Sequence, residues 1–275
     1  MANISEVPSP RDDIPDAARC RRIEFPYAAL TLLILLAVWQ LATMCLSLPA
    51  YLLPSPAIIA ADAAANWRLL LYEAGVTSYE ILLGFGLSLI VGVPLAVVLA
   101  HSRAFERAIY PLIIGSQTIP KVALAPLFLA WFGFGIGPKI IIVVLMAFFP
   151  IVSNSVVGLK SLSPEMLNLA RSMGATRFQI FRRFQLPNSL PGIFAGMKVA
   201  IVLAVIGAVV AEFVGADRGL GYLIMMATAD LDVARQFAAI VVLSAIGMVL
   251  FAILQQIERR CLPWHISIRR DLVRN

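Results

Sequence analysis

The sequence predicts an all-α, polytopic membrane protein with about six transmembrane helices and both termini in the cytoplasm. Of its 275 residues, 60% are hydrophobic and only 14% are charged, whereas soluble domains carry about 45–50% apolar and about 25% charged residues. The apolar residues form runs long enough to cross a bilayer, which takes about 20 residues per helix. Lysine and arginine lie mostly between these runs, as membrane topology requires.

The first apolar run, 26–48, is predicted to be a membrane span and not a cleaved signal peptide. It is longer than the hydrophobic part of a signal peptide, which is about 7–15 residues. The polar residues before it, 1–25, are expected to form a cytoplasmic tail. The stretch 57–71 is only mildly amphipathic and follows two prolines. We expect it to lie at the membrane interface without crossing the bilayer.

Charge placement orients the spans. With a cytoplasmic N-terminus, the inside segments hold 17 of the 22 lysines and arginines. The inverted orientation would place that majority outside, against the positive-inside rule. The five further predicted spans are 76–100, 110–132, 136–159, 195–214 and 237–257. The inside segments are then 1–25, 101–110, 159–198 and 258–275.

Two predicted spans carry small residues at four-residue intervals or multiples of them. Gly196, Ala200 and Ala204 form such a row in the fifth span, and Gly84 and Gly92 do so in the second. Small residues let another helix backbone approach closely. The rows indicate either packing within this chain or a wall of the transport pathway or subunit interface.

The third predicted span is interrupted. Pro120 and Pro126 make one straight helix across 110–132 unlikely to form, because proline removes a helical hydrogen bond. Broken helices occur in membranes where they are packed in protein or line a cavity. Lys121 lies at the break and has two interpretations: a functional charge within the membrane, or a side chain that reaches the interface.

The longest predicted cytoplasmic segment contains two short helices. Ser163 is a natural N-cap, and Pro164 suits the first helical position. Gly174 suits the end of that helix, because glycine readily adopts the left-handed conformation found there. Thr176 can cap a second helix, which we expect to end at Pro187.

The second of these helices carries aromatic and basic side chains. Phe178 and Phe181 are predicted to share one helix face, with Arg182 and Arg183 beside it. An exposed surface of this kind often binds a protein partner. A basic amphipathic helix can also lie on a membrane surface, so the residues alone leave both interpretations open.

Several functions are not expected. The net charge is +6, but the basic residues lie between apolar runs, which argues against nucleic-acid binding. The three cysteines lack metal-ligand spacing. His101 and His265 are isolated, and no Gly-x-x-x-x-Gly-Lys-Ser/Thr phosphate loop occurs. No metal, cofactor or catalytic residue is therefore predicted.

The loop resembles the one shared by permeases of binding-protein-dependent ABC importers. That pattern is Glu-Ala-Ala, three residues, Gly, nine residues, and Ile-x-Leu-Pro. Here Asn168-Leu169-Ala170, Gly174 and Phe184-Gln185-Leu186-Pro187 take these positions. Asn168, Leu169 and Phe184 depart from it, so no acidic interaction is expected at the first position. With further family-like stretches, the resemblance covers about 72–258.

The resemblance implies the permease subunit of an ATP-driven importer in the bacterial inner membrane. In that family the permease is a dimer, a periplasmic binding protein delivers the solute, and cytoplasmic ATPase subunits dock on the loop, here 160–191. ATP hydrolysis then belongs to a separate subunit, so the chain is not expected to be an enzyme. The implied coupling residues are Ala170, Gly174, Arg177, Phe178, Phe181, Arg182, Leu186 and Pro187.

The same resemblance divides the chain into four parts. A cytoplasmic tail covers 1–25, a first helix with an interfacial segment covers 26–71, the permease core covers 72–258, and a basic tail covers 259–275. The most similar subgroup is the permeases for sulfonates, taurine and nitrate, with those for thiamine-precursor pyrimidines beside it. Many sulfonate-type relatives carry arginine where this chain has Glu80, which keeps the pyrimidine interpretation open.

Two rival functions are not expected, because the sequence features that each of them requires are missing. An ion-coupled secondary transporter predicts inverted repeats and paired acids within the membrane, and a membrane-embedded enzyme predicts polar residues clustered at one membrane face. Neither pattern is evident in the sequence. Glu212 and Asp217 are expected to be solvated or to contact a partner protein.

Overall fold

A computed structural model describes residues 27–46, 49 and 51–263 of the chain. The two predicted cytoplasmic tails, with Cys20 and His265, lie almost entirely outside these residues. Where the chain is described, its regular structure is helical and contains no strand, which confirms the all-α prediction.

Within those ranges the chain forms eleven α-helices, two 3₁₀ turns and one π-helical segment. The α-helices are α1 (Tyr27–Cys45), α2 (Pro56–Ala65), α3 (Trp67–His101), α4 (Arg103–Gly115), α5 (Ala125–Phe132), α6 (Ile136–Lys160), α7 (Pro164–Ser172), α8 (Arg177–Ile180), α9 (Leu186–Gly215), α10 (Leu220–Ala229) and α11 (Val233–Cys261). The 3₁₀ turns are Ser116–Thr118 and Lys121–Leu124, and the π-helical segment is Phe181–Gln185.

The chain divides into two compact units, Met1–Ser47 and Leu48–Asn275. In the first unit the described structure is α1, whose apolar side chains are largely exposed. In the second unit α6 is central, because it packs along both α3 and α9. Its buried residues Val143, Ala147 and Ile151 are fully enclosed between these two neighbours.

Four helical stretches are long and apolar enough to cross a membrane: α3, α6, α11 and the continuous stretch Arg177–Gly215. A fifth crossing results if the bent pair Arg103–Thr118 and Lys121–Phe132 is counted as one span. The described part of the first apolar helix, Leu30–Cys45, is shorter than these. The described residues thus supply four or five of the roughly six predicted spans.

Helix α3 begins at Trp67 directly after the Asn66 junction with α2, so residues 67–71 continue into α3. The interfacial placement of 57–71 stays a prediction. One predicted boundary is wrong. The second cytoplasmic helix does not end at Pro187. Pro187 lies in the first turn of α9, where the missing N–H is tolerated, and the π-helical segment carries the chain into it without a break.

Candidate functional site

The predicted helix pair at 163–187 is present, and its first helix is capped as expected. Ser163 Oγ accepts a hydrogen bond from the Met166 amide at 3.3 Å. At the other end Gly174 has φ +76°, and the Ala175 amide donates to the Ala170 carbonyl at 3.1 Å. This is the left-handed helix ending that glycine favours, so the chain turns sharply at a fixed point.

The second helix starts with a reciprocal cap. The Gln179 amide donates to Thr176 Oγ1 at 3.3 Å, and the Thr176 amide donates to Gln179 Oε1 at 2.8 Å. Two otherwise unpaired amides are thereby satisfied. The α-helix lasts only to Ile180 and then widens into the π-helical segment. Such segments change the phase of the side chains that follow.

Phe178 and Phe181 were predicted to form one exposed aromatic face, and this prediction is wrong for Phe181. Phe178 is 67% exposed, whereas Phe181 packs edge-on against the His101 ring at a centroid distance of 5.3 Å and joins a buried apolar cluster. Leu169 of α7 and Met173, the C-cap residue of α7, are also exposed. The helix pair therefore shows a mixed apolar and basic surface, with Phe181 turned towards α3.

Contacts at the base of the helix pair hold it against the long helices. His101 Nε2 lies 3.1 Å from Gln185 Oε1, and Asn188 Nδ2 donates to Ser161 Oγ at 2.8 Å. Lys160 forms an ion pair with Glu106 of α4. His101, predicted to be isolated, thus joins α3 to the π-helical segment, and the segments that flank the pair are joined to each other and to α4.

The remaining predicted coupling residues differ in exposure. Ala170 is 3% exposed and lies on the inner side of α7. Arg177 and Arg182 are exposed, and Leu186 and Pro187 are half-buried at the start of α9. Arg177 also lines a cavity of about 460 Å³ beside His101 and Arg171.

The small-residue row of the fifth span packs inside this chain. Ala200 and Ala204 are fully buried, and a Cβ atom on Gly196 would lie 2.7 Å from the Pro150 carbonyl oxygen of α6. Gly92 is likewise packed against α6, and Gly84 is buried against Val143. The contacts of Gly84, Gly92 and Gly196 described above are all with α6, which agrees with the interpretation that these rows pack within the chain.

The third span is broken where predicted. The two halves of the bent pair meet at 85°, with Pro120 between them in an extended conformation. Lys121 is half-buried and its Nζ donates to Gln117 Oε1 at 2.8 Å. The bend leaves both interpretations of Lys121 open.

At the opposite end of α3 from His101, a polar cluster is buried among the helices. Lys139 of α6 donates to Glu80 Oε1 of α3 at 2.8 Å, and the two side chains are 8% and 2% exposed. Glu212 of α9 is fully buried, and its Oε1 accepts from Thr77 Oγ1 at 2.7 Å. Glu73 of α3 is also buried.

The start of α10 is bound to this polar cluster. The first amides of a helix have no partner within it. Here Gly219 N–H donates to Glu73 Oε2 at 2.5 Å, and Leu220 N–H donates to Thr77 Oγ1 at 2.8 Å. Gly221 N–H donates to Glu212 Oε2. Carboxylates are favoured at such a position by the helix dipole, so α3, α9 and α10 meet in one hydrogen-bonded unit.

The polar cluster corrects two sequence expectations. Glu212 is not solvated, and acids do lie paired and clustered at one end of the helices. The sequence did contain a signal, because Glu73, Thr77 and Glu80 at intervals of four and three share one face of α3. The expected absence of clustered polar and acidic residues therefore no longer counts against the two rival functions, and similarity to known proteins has to decide between them. Among the described residues no group of histidine, cysteine or acidic side chains could hold a metal ion.

The family model described as "Binding-protein-dependent transport system inner membrane component" matches residues 89–262. The formylaminopyrimidine transport permease protein ThiX of Halalkalibacterium halodurans is 39% identical over 84% of this chain and 93% of its own length. The riboflavin transport system permease protein RibX of Chloroflexus aurantiacus is 37% identical over 92% and 96%. The taurine transport system permease protein TauC of Escherichia coli is 29% identical over 87% and 90%.

A solved structure supports the fold. An inward-facing form of the MetNI methionine ABC transporter aligns with a TM-score of 0.64 at 20% sequence identity, covering 72% of this chain and 98% of that chain.

Proposed function

Because the chain belongs to the family of inner membrane components of binding-protein-dependent transport systems, we propose that it carries a small nitrogen heterocycle across the membrane. It is the permease subunit of an ABC importer in the inner membrane, and its family implies ATPase and solute-binding partners. The matched relatives are transport permeases, and we assign ATP hydrolysis to a separate ATPase subunit.

The substrate class rests on the relatives. Those named for formylaminopyrimidine and riboflavin are 39% and 37% identical to the chain, and both of these solutes are nitrogen heterocycles. The relatives named for taurine and aliphatic sulfonates are 29–32% identical, which makes a small organic anion the second candidate.

The substrate test uses the assembled transporter with its own binding protein in proteoliposomes. Formylaminopyrimidine, riboflavin, taurine and nitrate are added in turn, and ATP hydrolysis and uptake are measured. We expect one of the two heterocycles to raise both rates and the two anions to leave them at the basal level. Stimulation by taurine or nitrate alone would establish the second candidate in its place.

The helix pair at 163–187 is proposed as the surface that couples the permease to its ATPase subunits, within the loop 160–191. Its caps fix its shape, and the His101–Gln185 contact ties it to α3. The Lys160–Glu106 pair joins α6 to α4 directly before it. A rigid pair transmits displacement to the spans, whereas a flexible loop would absorb it. The exposed Phe178 is the proposed anchor, because large apolar side chains dominate protein interfaces.

Co-purification tests the coupling surface. Phe178→Asp should lose the ATPase subunit and uptake while the permease still inserts into the membrane. Phe134→Asp is the matched control, since Phe134 is 83% exposed in the turn before α6, remote in sequence from the helix pair, and it should retain the ATPase subunit. If Phe178→Asp retains the ATPase subunit and takes up solute as the wild type does, Phe178 is not the anchor for the ATPase subunit.

We further propose a second copy of the chain, with the permease core at 72–258 forming the pathway between the copies and both termini in the cytoplasm. Native cysteines test the orientation. Cys45 and Cys261 are both exposed and are proposed to lie on opposite sides of the membrane. In a Cys20→Ser background, an impermeant maleimide added to intact cells should label Cys45 and not Cys261. Cross-linking of two tagged copies tests the dimer.

A further inference from the structure

One buried oxygen in the polar cluster has no obvious partner. Glu80 is 1% exposed, and its Oε1 accepts from Lys139. Its Oε2 has no hydrogen-bond donor among the described residues. Buried polar atoms are nearly always hydrogen-bonded, so an exception of this kind requires an explanation. The Glu212 carboxyl group lies against the same face of α3, because it accepts from Thr77, three residues before Glu80, but an ionised carboxylate can only accept.

The charges around Glu80 do not balance if every group is ionised. Helix α3 contributes Glu73 and Glu80, α9 contributes Glu212, and α6 contributes Lys139 as the one buried ammonium among the described residues of the cluster. The start of α10 adds the partial positive charge of a helix N-terminus. Three carboxylates thus face one ammonium in a region closed to water, where like charges repel strongly.

The two charged residues next to α10 do not correct this imbalance. Asp217 adds a further negative charge near Glu80. The Arg218 guanidinium points away, because it donates to the Tyr72 hydroxyl and lies 5.2 Å from the centre of that ring. Only the Arg218 carbonyl faces the cluster, 3.5 Å from Lys139 Nζ.

We propose that Glu80 and Glu212 form a proton-binding site, in which one proton is shared between the two carboxyl groups. The proton gives Glu80 Oε2 a hydrogen-bond donor towards Glu212 and removes one negative charge from the cluster. Every buried oxygen then has a partner: Glu80 Oε1 pairs with Lys139, and the Glu212 oxygens accept from Thr77 and Gly221.

The shared proton links α3 to α9 at the end of the spans that lies away from the helix pair. Without it, two buried anionic carboxylates on α3 and α9 would repel each other and push the helices apart. The proton therefore stabilises the arrangement in which α3, α9 and the start of α10 are joined. The inference is independent of which solute the importer carries.

The first test compares the pH dependence of stability in the full chain, in lipid nanodiscs with the subunits that co-purify. Since the proton is bound in the folded state, the thermal midpoint of the wild type should fall as the pH rises from about 6 to about 9. In Glu80→Gln the amide donates to Glu212 without a proton, and its oxygen still accepts from Lys139. The thermal midpoint of this variant should therefore change much less between about pH 6 and about pH 9 than that of the wild type.

The matched control is Glu258→Gln, because Glu258 pairs with Lys198 at 2.6 Å outside the polar cluster. It should keep the pH dependence of the wild type. If the thermal midpoint of Glu80→Gln falls with rising pH as steeply as that of the wild type, the proposal is wrong. A general folding defect would lower the midpoint of Glu80→Gln at both pH values without removing the difference between them, and that outcome also counts against the proposal.

Infrared spectroscopy provides a second, direct measurement. The wild type should show a carboxylic-acid C=O band at about pH 7 that shifts in D₂O. The band should disappear in Glu80→Gln and, separately, in Glu212→Gln, because each variant removes one half of the pair. It should persist in Glu73→Gln and Glu258→Gln. Absence of the band in the wild type, or its persistence in both Glu80→Gln and Glu212→Gln, would overturn the proposal.

Discussion

Replacing Lys139 with methionine should destabilise the folded chain by about 3–5 kcal/mol, the usual cost of removing one partner from a buried ion pair. Lys139 Nζ lies 2.8 Å from Glu80 Oε1, and neither side chain is more than 8% exposed. Methionine nearly fills the volume of the lysine stem and adapts to irregular space. The loss therefore measures the missing positive charge and not a cavity.

Two controls separate charge from packing. The double variant Glu80→Met with Lys139→Met should regain most of the lost stability, because a buried pair replaced by apolar side chains is often neutral. Lys198→Met removes a more exposed pair, with side chains 27% and 14% exposed, and should cost less than about 1 kcal/mol. Non-additivity in the Glu80 and Lys139 double-mutant cycle measures their coupling.

The assay is equilibrium unfolding of the full chain in mixed micelles, followed by tryptophan fluorescence. All variants are compared under the same lipid and detergent conditions. If Lys139→Met stays within about 1 kcal/mol of the wild type, Lys139 is not a required counter-charge, and the account of the polar cluster as a connected unit is wrong.

Three smaller predictions use the same assay. Gly174→Ala should cost about 1–2 kcal/mol, because alanine is strained at φ +76°; no loss would mean that the turn relaxes freely. Gly196→Val should cost about 1–3 kcal/mol by forcing α9 from the Pro150 carbonyl, whereas Gly86→Val, with open space around it, should cost less than about 1 kcal/mol; equal losses would contradict this. Glu106→Gln breaks a partly exposed pair with Lys160 and should cost about 0–1 kcal/mol; a larger loss would show that this pair is a principal anchor of the helix pair.

Helix caps, turns and helix breaks could be predicted from the sequence. The caps at Ser163 and Thr176 and the turn at Gly174 depend on residues within a few positions of each other, so the pattern alone predicted them. The break at Pro120 was predictable for the same reason, because proline acts on its own turn of helix. The sequence thereby predicted both caps and the turn of the helix pair; its coupling role stays a prediction.

The polar cluster was not predictable in the same way. Glu80 and Lys139 are 59 residues apart, and Thr77 and Glu212 are 135 apart, so pairing depends on how the helices pack. Lys139 also lies near the end of a predicted span, where a charged residue fits the membrane topology without any buried partner. The orientation of Phe181 was missed because a π-helical segment has no simple sequence signal.

The continuous helical stretch Arg177–Gly215 has a mechanical consequence. Its 39 residues extend about 58 Å at 1.5 Å per residue, roughly twice the thickness of the hydrocarbon core. Moving as a rigid body, it would act as a lever arm with the candidate coupling surface at one tip and Glu212 near the other. A tilt of about 10° about the first tip would move the second by about 10 Å.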